Sequence, residues 1–248
     1  MNTTKGQSFY DQTGVFEQYV QHRAKSDNPN AVIETPIVRA MVGEVKGKDC
    51  LDIGCGYGAM ASYLREKEAA SYLGIDPSAK MIGAAREKVV QQGFRFELGQ
   101  VEELAIETEQ YDLVISRLVF HYVADITMVF QKIFAGLRSN GVFIFSVEHP
   151  VMTALMDKAK AGSKKEGWKV GAYFKEGPRT HRWMGAAVTK YHKTIDSYFA
   201  ALRQSGFLVQ DLREGRPEEQ NFTNESEYVR RLELPRYLIF KALKPERS

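Results

Sequence analysis

The sequence predicts a doubly wound α/β fold, a mainly parallel sheet with helices on both faces, and three observations carry that prediction. Short apolar runs that read as strands alternate with amphipathic stretches that read as helices from about residue 36 to residue 150. The run Leu51-Asp52-Ile53-Gly54-Cys55-Gly56-Tyr57-Gly58 reads as a buried strand that breaks into a glycine-paved turn ahead of a helix. A second apolar strand, Ser71-Tyr72-Leu73-Gly74-Ile75-Asp76, ends on a carboxylate eighteen residues after Gly58.

The elements follow in order. A helix is expected near 36–44, then a first strand at 49–53, the glycine turn, and a helix at 59–67. The strand at 71–75 leads to a helix at 78–91, and Phe94-Arg95-Phe96-Glu97-Leu98 alternates as a third strand should. A fourth strand at 111–116, a helix at 126–137 and a fifth strand at 142–147 follow, with Pro150 as the stop. Crossovers between parallel strands are right-handed. After an irregular interval, a helix near 195–204 and strands at 207–213 and 236–242 close the chain. The expected organisation is one domain: a lid segment 1–35, a core 36–150, an insertion 151–193 and a completing unit 194–248.

At 248 residues, 44% hydrophobic and 26% charged, the chain can bury a full α/β core. No stretch approaches the roughly 20 apolar residues of a membrane span, and Met1 to Gln7 is polar without a signal-peptide core, so a cytoplasmic protein is expected. Cys50 and Cys55 are too few and too close for a disulfide framework and read as small buried residues. His22, His121, His149, His181 and His192 show no metal-ligand spacing, and no metal is expected.

Alternating glycines let a turn adopt backbone angles closed to other residues and let a ligand approach main-chain donors, which the following helix N-terminus supplements. An acid at the tip of the second strand can accept both hydroxyls of a ribose. Asp76 could equally cap the helix beginning at Ser78. A dinucleotide fingerprint needs its third glycine one residue later, so the spacing favours another nucleoside.

Together these residues resemble motif I and the acidic ribose-binding position of the class I S-adenosylmethionine-dependent methyltransferases. The resemblance covers roughly 45–150 and 194–243 and implies a Rossmann-like, mainly parallel seven-stranded sheet ending in an antiparallel C-terminal hairpin, with a cap inserted over the substrate. It implies S-adenosyl-L-methionine as cofactor, held by Asp52, Gly54, Cys55, Gly56 and Gly58 and by Asp76 with the adjoining Pro77. Gln100 stands where many members carry Asp to accept from the adenine amino group, and Val101 and Glu102 follow with backbone groups for the ring. Met81 either lies against the adenine or is core. Phe9, Tyr10, Phe16 and Tyr19 would close over the cofactor.

The turn after the fourth strand delivers Arg117, read as a cofactor contact, and His121, the best-placed general base by its titration range. In family members a His here also serves to pack the methionine moiety. The run Phe145-Ser146-Val147-Glu148-His149-Pro150 resembles a signature of a bacterial subgroup, which also shares Trp168, Tyr173, Arg182-Trp183 and Lys190-Tyr191-His192-Lys193-Thr194. Glu148 and His149 would then face the substrate or form a hydrogen-bonded corner. Tyr10, Trp183, Tyr191 and His192 are the substrate-binding candidates.

From 158 to 193, ten Lys and Arg stand against two Glu, a local charge of +8 in a chain of net +3, with aromatic residues interleaved. Such a stretch suits an anionic, partly aromatic small molecule or a nucleic acid. The expected activity is methyl transfer to a small-molecule acceptor by in-line displacement, which needs alignment and exclusion of water. The alternatives are an RNA or protein methyltransferase docking through the basic cap, and a non-methylating S-adenosylmethionine binder. No planar-amine tetrapeptide follows the fourth strand, where Ser116-Arg117-Leu118-Val119 stands.

Overall fold

Strands and helices alternate in the computed structural model, which describes residues 9–23, 25–155 and 168–246. Helix α1 (Val15–Arg23) and a π-helical turn (Asn30–Glu34) lead into α2 (Thr35–Val42). Then come β1 (Asp49–Ile53), α3 (Ala59–Glu66), β2 (Ser71–Asp76), α4 (Ala79–Lys88) and β3 (Phe94–Leu98). The second half runs β4 (Tyr111–Arg117), α5 (Ile126–Gly136), β5 (Leu137–Glu148) and the short α6 (Pro150–Thr153). It ends with β6 (Gly177–Trp183), β7 (Ala186–His192), α7 (Ile195–Gln204), β8 (Leu208–Glu214), α8 (Glu225–Arg231) and β9 (Tyr237–Leu243).

The helices start where side chains can take unpaired backbone donors: Ser78 accepts from Met81, Asp125 from Met128 and Thr194 from Ser197. The strands carry the period-two pattern of a sheet buried on both faces. In β4, Leu113 and Ile115 belong to one apolar layer and Val114 to the other. The sheet order is β3-β2-β1-β4-β5-β9-β8, parallel except for β9, which runs against both β5 and β8. Since the chain moves from β1 outward to β2 and β3 and then returns to the other side with β4, the direction reverses at β1. The crevice at the carboxyl ends of β1 and β4 is where such folds bind ligands.

Three departures from the expected elements have local causes. β5 begins at Leu137 because the chain leaves α5 straight into the sheet, and it absorbs the extra residues in a bulge: Tyr111 pairs Leu137, yet Leu113 pairs Val142. The interval expected to be irregular contains the β6–β7 hairpin. Its two-residue loop, Met184-Gly185, has positive φ at both positions (48° and 78°), the twist a tight hairpin needs, although Met is an unusual residue for it. Helices α1 and α8 were not expected; α1 has no buried residue besides Val15 and so no apolar stripe to read.

The two ends of the described chain meet in a seam. Thr223 donates to Asp27 at 2.9 Å, Asn221 to the Val32 carbonyl at 3.2 Å, and Tyr237 to Asn30 at 2.8 Å. This seam joins the stretch between α1 and α2 to the stretches on either side of α8. No helix among the described residues is long and apolar enough to cross a membrane.

Candidate active site

A cavity of about 950 Å³ opens at the carboxyl ends of β1 to β5. Typical ligand sites span roughly 300–1,000 Å³, so this one has room for a nucleoside and a second molecule beside it. Its floor is the glycine turn. Gly54, Gly56 and Gly58 all have positive φ, between 54° and 76°. The main-chain donors of the turn are largely used within the protein: Gly54 and Cys55 donate to the Ile75 carbonyl at 2.7 and 3.0 Å, and Gly56 donates to Asp76 at 3.0 Å. What the turn gives a ligand is close approach, because a Cβ at Gly56 would meet nothing within 4 Å. At Gly54 a Cβ would lie 2.1 Å from the Val119 side chain, so the loop after β4 fits into the notch that the glycine leaves.

Two buried acids face this floor. Asp76 accepts from Gly56 and from Ser78 at 2.9 Å, and burial pushes its carboxyl up to about 6. Ser78, not Asp76, caps α4, which removes the helix-cap alternative. Asp52 takes the Tyr72 hydroxyl at 2.7 Å on one oxygen, and burial also lifts it to about 6. Its other oxygen is buried without a partner among the described residues. A molecule with an ammonium group and vicinal hydroxyls fits two such acids, since each keeps lone pairs that only a donor can satisfy.

Met81, Gln100, Val101 and Glu102, the residues expected at the adenine, all line the cavity, as does Pro77 beside Asp76. Gln100 precedes the 3₁₀ turn Val101–Glu103 without spending its side chain on a capping bond. The Glu102 carbonyl accepts from Lys132 at 2.7 Å and so is committed to the protein. Arg117 also borders the cavity, but its guanidinium clamps Glu34, with Nε at 2.9 Å and Nη2 on the second oxygen, and donates to Thr35 at 2.5 Å. Burial opposes charging of Glu34, yet Arg117 and a 2.7 Å bond from Ser146 hold it ionised, below the usual carboxylate range.

Above the floor lie the N-terminal segment and the β6–β7 hairpin. Phe9 and Val15 pack on Val188 of β7, with Tyr10, Tyr122 and Trp183 around them. Tyr10 and Tyr19 meet edge to face at 4.9 Å, and Tyr19 reaches Tyr57 of the glycine turn at 6.4 Å. Asp11, which the sequence reading did not single out, accepts from the Ser78 hydroxyl at 2.6 Å and from the backbone of Ala79 and Lys80, pinning the segment to the start of α4. Buried Lys190 on β7 pairs with Glu148 at 2.6 Å; burial works against its charge and Glu148 restores it.

His121 lines the cavity, as expected of a catalytic candidate. Its Nδ1 accepts the Glu148 N–H at 3.3 Å, so the neutral ring carries its proton on Nε2. In that tautomer Nε2 carries the ring's N–H. His149 is not in the cavity wall: it caps α6 by accepting from Val151 at 3.1 Å and bonds Glu214 at 3.0 Å, which makes it the structural corner. His192 is also a correction, since its ring is fixed between Thr153 at 2.6 Å and the Tyr173 carbonyl at 2.7 Å, facing away from the cavity. Gly58 does not line the cavity either; it lets α3 start against Ala85 and Phe96, 3.3–3.4 Å from where a Cβ would be. Tyr10, Trp183 and Tyr191 do line it, with Glu148.

The basic interval is not one solvated face. Lys190 and Lys193 are buried, Lys193 donating to the Val123 carbonyl at 2.6 Å, and Arg179 donates to the carbonyls of Thr153, Ala172 and Lys175. Lys158, Lys160, Lys164 and Lys165 lie outside the described residues. The sequence reading also missed Arg23, Arg231 and Arg236, which reach the cavity from opposite ends of the chain and share no motif. Among the described residues no three His, Cys, Asp or Glu come together as a metal site.

A family model described as a methyltransferase domain matches residues 51–145. The S-adenosylmethionine-dependent methyltransferase from Mesorhizobium loti superposes with a TM-score of 0.78 at 30% identity, over 90% of this chain and 99% of that one. A candidate S-adenosylmethionine-dependent methyltransferase from Listeria monocytogenes also gives 0.78, at 33% identity over 86% and 97% of the two chains. Among curated relatives, the malonyl-(acyl-carrier protein) O-methyltransferase of Priestia megaterium is 35% identical over 97 residues, which is 39% of this chain and 35% of that protein.

Proposed function

Because this chain belongs to the S-adenosylmethionine-dependent methyltransferases, a family of enzymes with S-adenosyl-L-methionine as cofactor, we propose that it methylates a small molecule held beneath the β6–β7 hairpin. The observation that carries this reading is the single cavity of about 950 Å³ that joins the acidic floor to a roofed end bordered by Tyr10, Trp183 and Tyr191. A small acceptor suits this end because Tyr10 of the N-terminal segment and Trp183 and Tyr191 of the hairpin border the same cavity as the floor acids.

When bound, the cofactor supplies an electrophilic methyl group on a sulfonium. Asp76 would take the ribose hydroxyls, and the unpartnered oxygen of Asp52 would take the ammonium of the amino-acid tail. Arg23, 6.0 Å over the Tyr19 ring and with buried Nε and Nη1 unpartnered among the described residues, would take that tail's carboxylate. Gln100 and Met81 would border the adenine. Tyr10 and Tyr19 exclude water from the transfer path, and rings beside a sulfonium also stabilise its charge. His121 and Glu148 would border the acceptor, with Glu148 held in place by Lys190.

The test is to incubate the protein with methyl-labelled S-adenosylmethionine and a bacterial extract, then separate the extract by size. Label should appear in the low-molecular-mass fraction. Label confined to RNA or to protein would overturn the small-molecule reading.

A further inference from the structure

The cavity holds more positive charge than its cofactor end uses. The end of α1 and the stretch 230–236 bring Arg23, Arg230, Arg231 and Arg236 to its wall, with His22 among them. The Nε atoms of Arg231 and Arg236 are shut off from solvent and have no hydrogen-bond partner among the described residues. Arg231 spends one terminal nitrogen on Glu227 at 2.8 Å, and Arg230 leans on the same carboxylate at 3.1 Å. Arg236 has no carboxylate within ion-pair distance among the described residues. The cations also feel one another. Burial, and then the charges of Lys25, Arg23, Arg236 and Arg231, hold the His22 ring below its usual value, while burial and Arg236 depress Arg231.

Arg23 also has buried nitrogens without a partner among the described residues, Nε and Nη1, but it lies 6.0 Å over the Tyr19 ring at the cofactor end. Arg231 and Arg236 instead share a cleft with Met152, Trp168 and Leu234, and Trp183 packs edge to face on His22 at 5.6 Å. Buried guanidinium donors without acceptors are costly, and their planar fork matches the two oxygens of a carboxylate or phosphoryl group. The acids Asp52 and Asp76 sit at the floor, so the cavity is acidic where the cofactor's amino-acid end and ribose belong and basic where the second molecule must lie.

We propose that Arg231 and Arg236 form an oxyanion subsite that seats a carboxylate or phosphoryl group of the methyl acceptor, with His22 and Arg230 at its edge. This rests on the small-molecule reading above and names the acceptor's chemical class: an anion joined to an apolar or planar body that the tryptophans can flank.

Benzoate and phenyl phosphate, each titrated into protein saturated with S-adenosylhomocysteine and followed by tryptophan fluorescence, test it. At least one should bind saturably, and the stronger of the two identifies the oxyanion as carboxylate or phosphoryl. Arg236→Gln and Arg231→Gln should each weaken it by about tenfold or more, the usual loss of a hydrogen bond to a charged group, with S-adenosylhomocysteine affinity kept. Arg236→Lys, which retains charge without the fork, gives the same readout where the glutamine variant fails to fold, and a severalfold loss is expected. Binding of neither anion, or anion affinity unchanged in these variants, overturns the subsite. So does a parallel loss of S-adenosylhomocysteine affinity, which would assign the cluster to the cofactor's own carboxylate. A wild-type protein that binds both anions but takes label only into RNA or protein would fail the small-molecule reading instead.

Discussion

Asp11 and Ser78 stand 67 positions apart in the chain, and their side chains meet at 2.6 Å. The bond joins the N-terminal segment to the first turn of α4, two residues beyond the acid expected to hold the ribose. Ser78 therefore links the N-terminal segment to Asp76, since its hydroxyl donates to Asp11 and its N–H to Asp76.

Asp11→Ala should weaken S-adenosylhomocysteine binding by about 1 kcal/mol, the typical worth of a lost cap interaction, or roughly fivefold. Calorimetry on the folded variant checks it. An unchanged dissociation constant would mean that the lid closes without regard to the cofactor.

The two floor acids set a pH dependence. Both are raised to about 6 by burial, above the ordinary carboxylate value. In the free protein a raised acid stabilises the fold below the unfolded pKa, near 4, and that contribution is lost as pH rises toward 6. Cofactor binding runs the other way, since donors on the ligand need the ionised carboxylate. Affinity for S-adenosylhomocysteine should be flat above about pH 7 and fall below about pH 6, approaching two protons taken up per molecule released. Asp76→Asn should leave a one-proton dependence from Asp52 and a binding loss of about 1.5–3 kcal/mol. A pH-independent affinity between 5 and 7 would show that neither acid touches the ligand.

Gly54→Ala combines a left-handed backbone with a Cβ driven into Val119. The backbone alone costs about 1–2 kcal/mol. Val119→Ala in the same chain should recover the steric part and leave the backbone part, a split that chemical denaturation of the three variants measures. If Val119→Ala gives no recovery, the notch does not seat that side chain.

His121 separates donor from base. As a donor, its replacement by Asn should lower turnover by less than about tenfold and leave the acid limb of the kcat profile in place. A general base is worth about 100-fold or more, and its loss would remove that limb.

The parts of this fold that were legible in the sequence are those where one local signal suffices. β1, β2 and β4 each carry an apolar run closed by a turn, β3 a clean alternation, and the glycine spacing with Asp76 points to the cofactor before any contact is known. The hairpin β6–β7 was not legible because β6 buries no residue, two of the three buried positions of β7 are the polar Lys190 and His192, and the turn is Met184-Gly185, so neither the pattern nor the loop stands out. The histidines show the opposite failure. His149 and His192 have the right chemistry and the right neighbourhood in sequence, and only the direction of their rings, toward Glu214 and toward Thr153, separates them from His121. Arg231 and Arg236 could not be read at all, because a cation becomes a site only through the groups that fail to pair with it.

The seam between Asp27 and Thr223, and between Asn30 and Tyr237, has a consequence for how the protein is made. These bonds join residues about 200 positions apart, among the last contacts a chain emerging from the ribosome can form. The glycine turn and both acids precede the β6–β7 hairpin, β9 and Arg236 in the chain. A nascent chain thus displays a cofactor floor before it owns the hairpin half of its roof, and S-adenosylmethionine can stabilise the product of folding far more than it can guide the early steps. Ligand should therefore slow unfolding while leaving the refolding rate nearly unchanged.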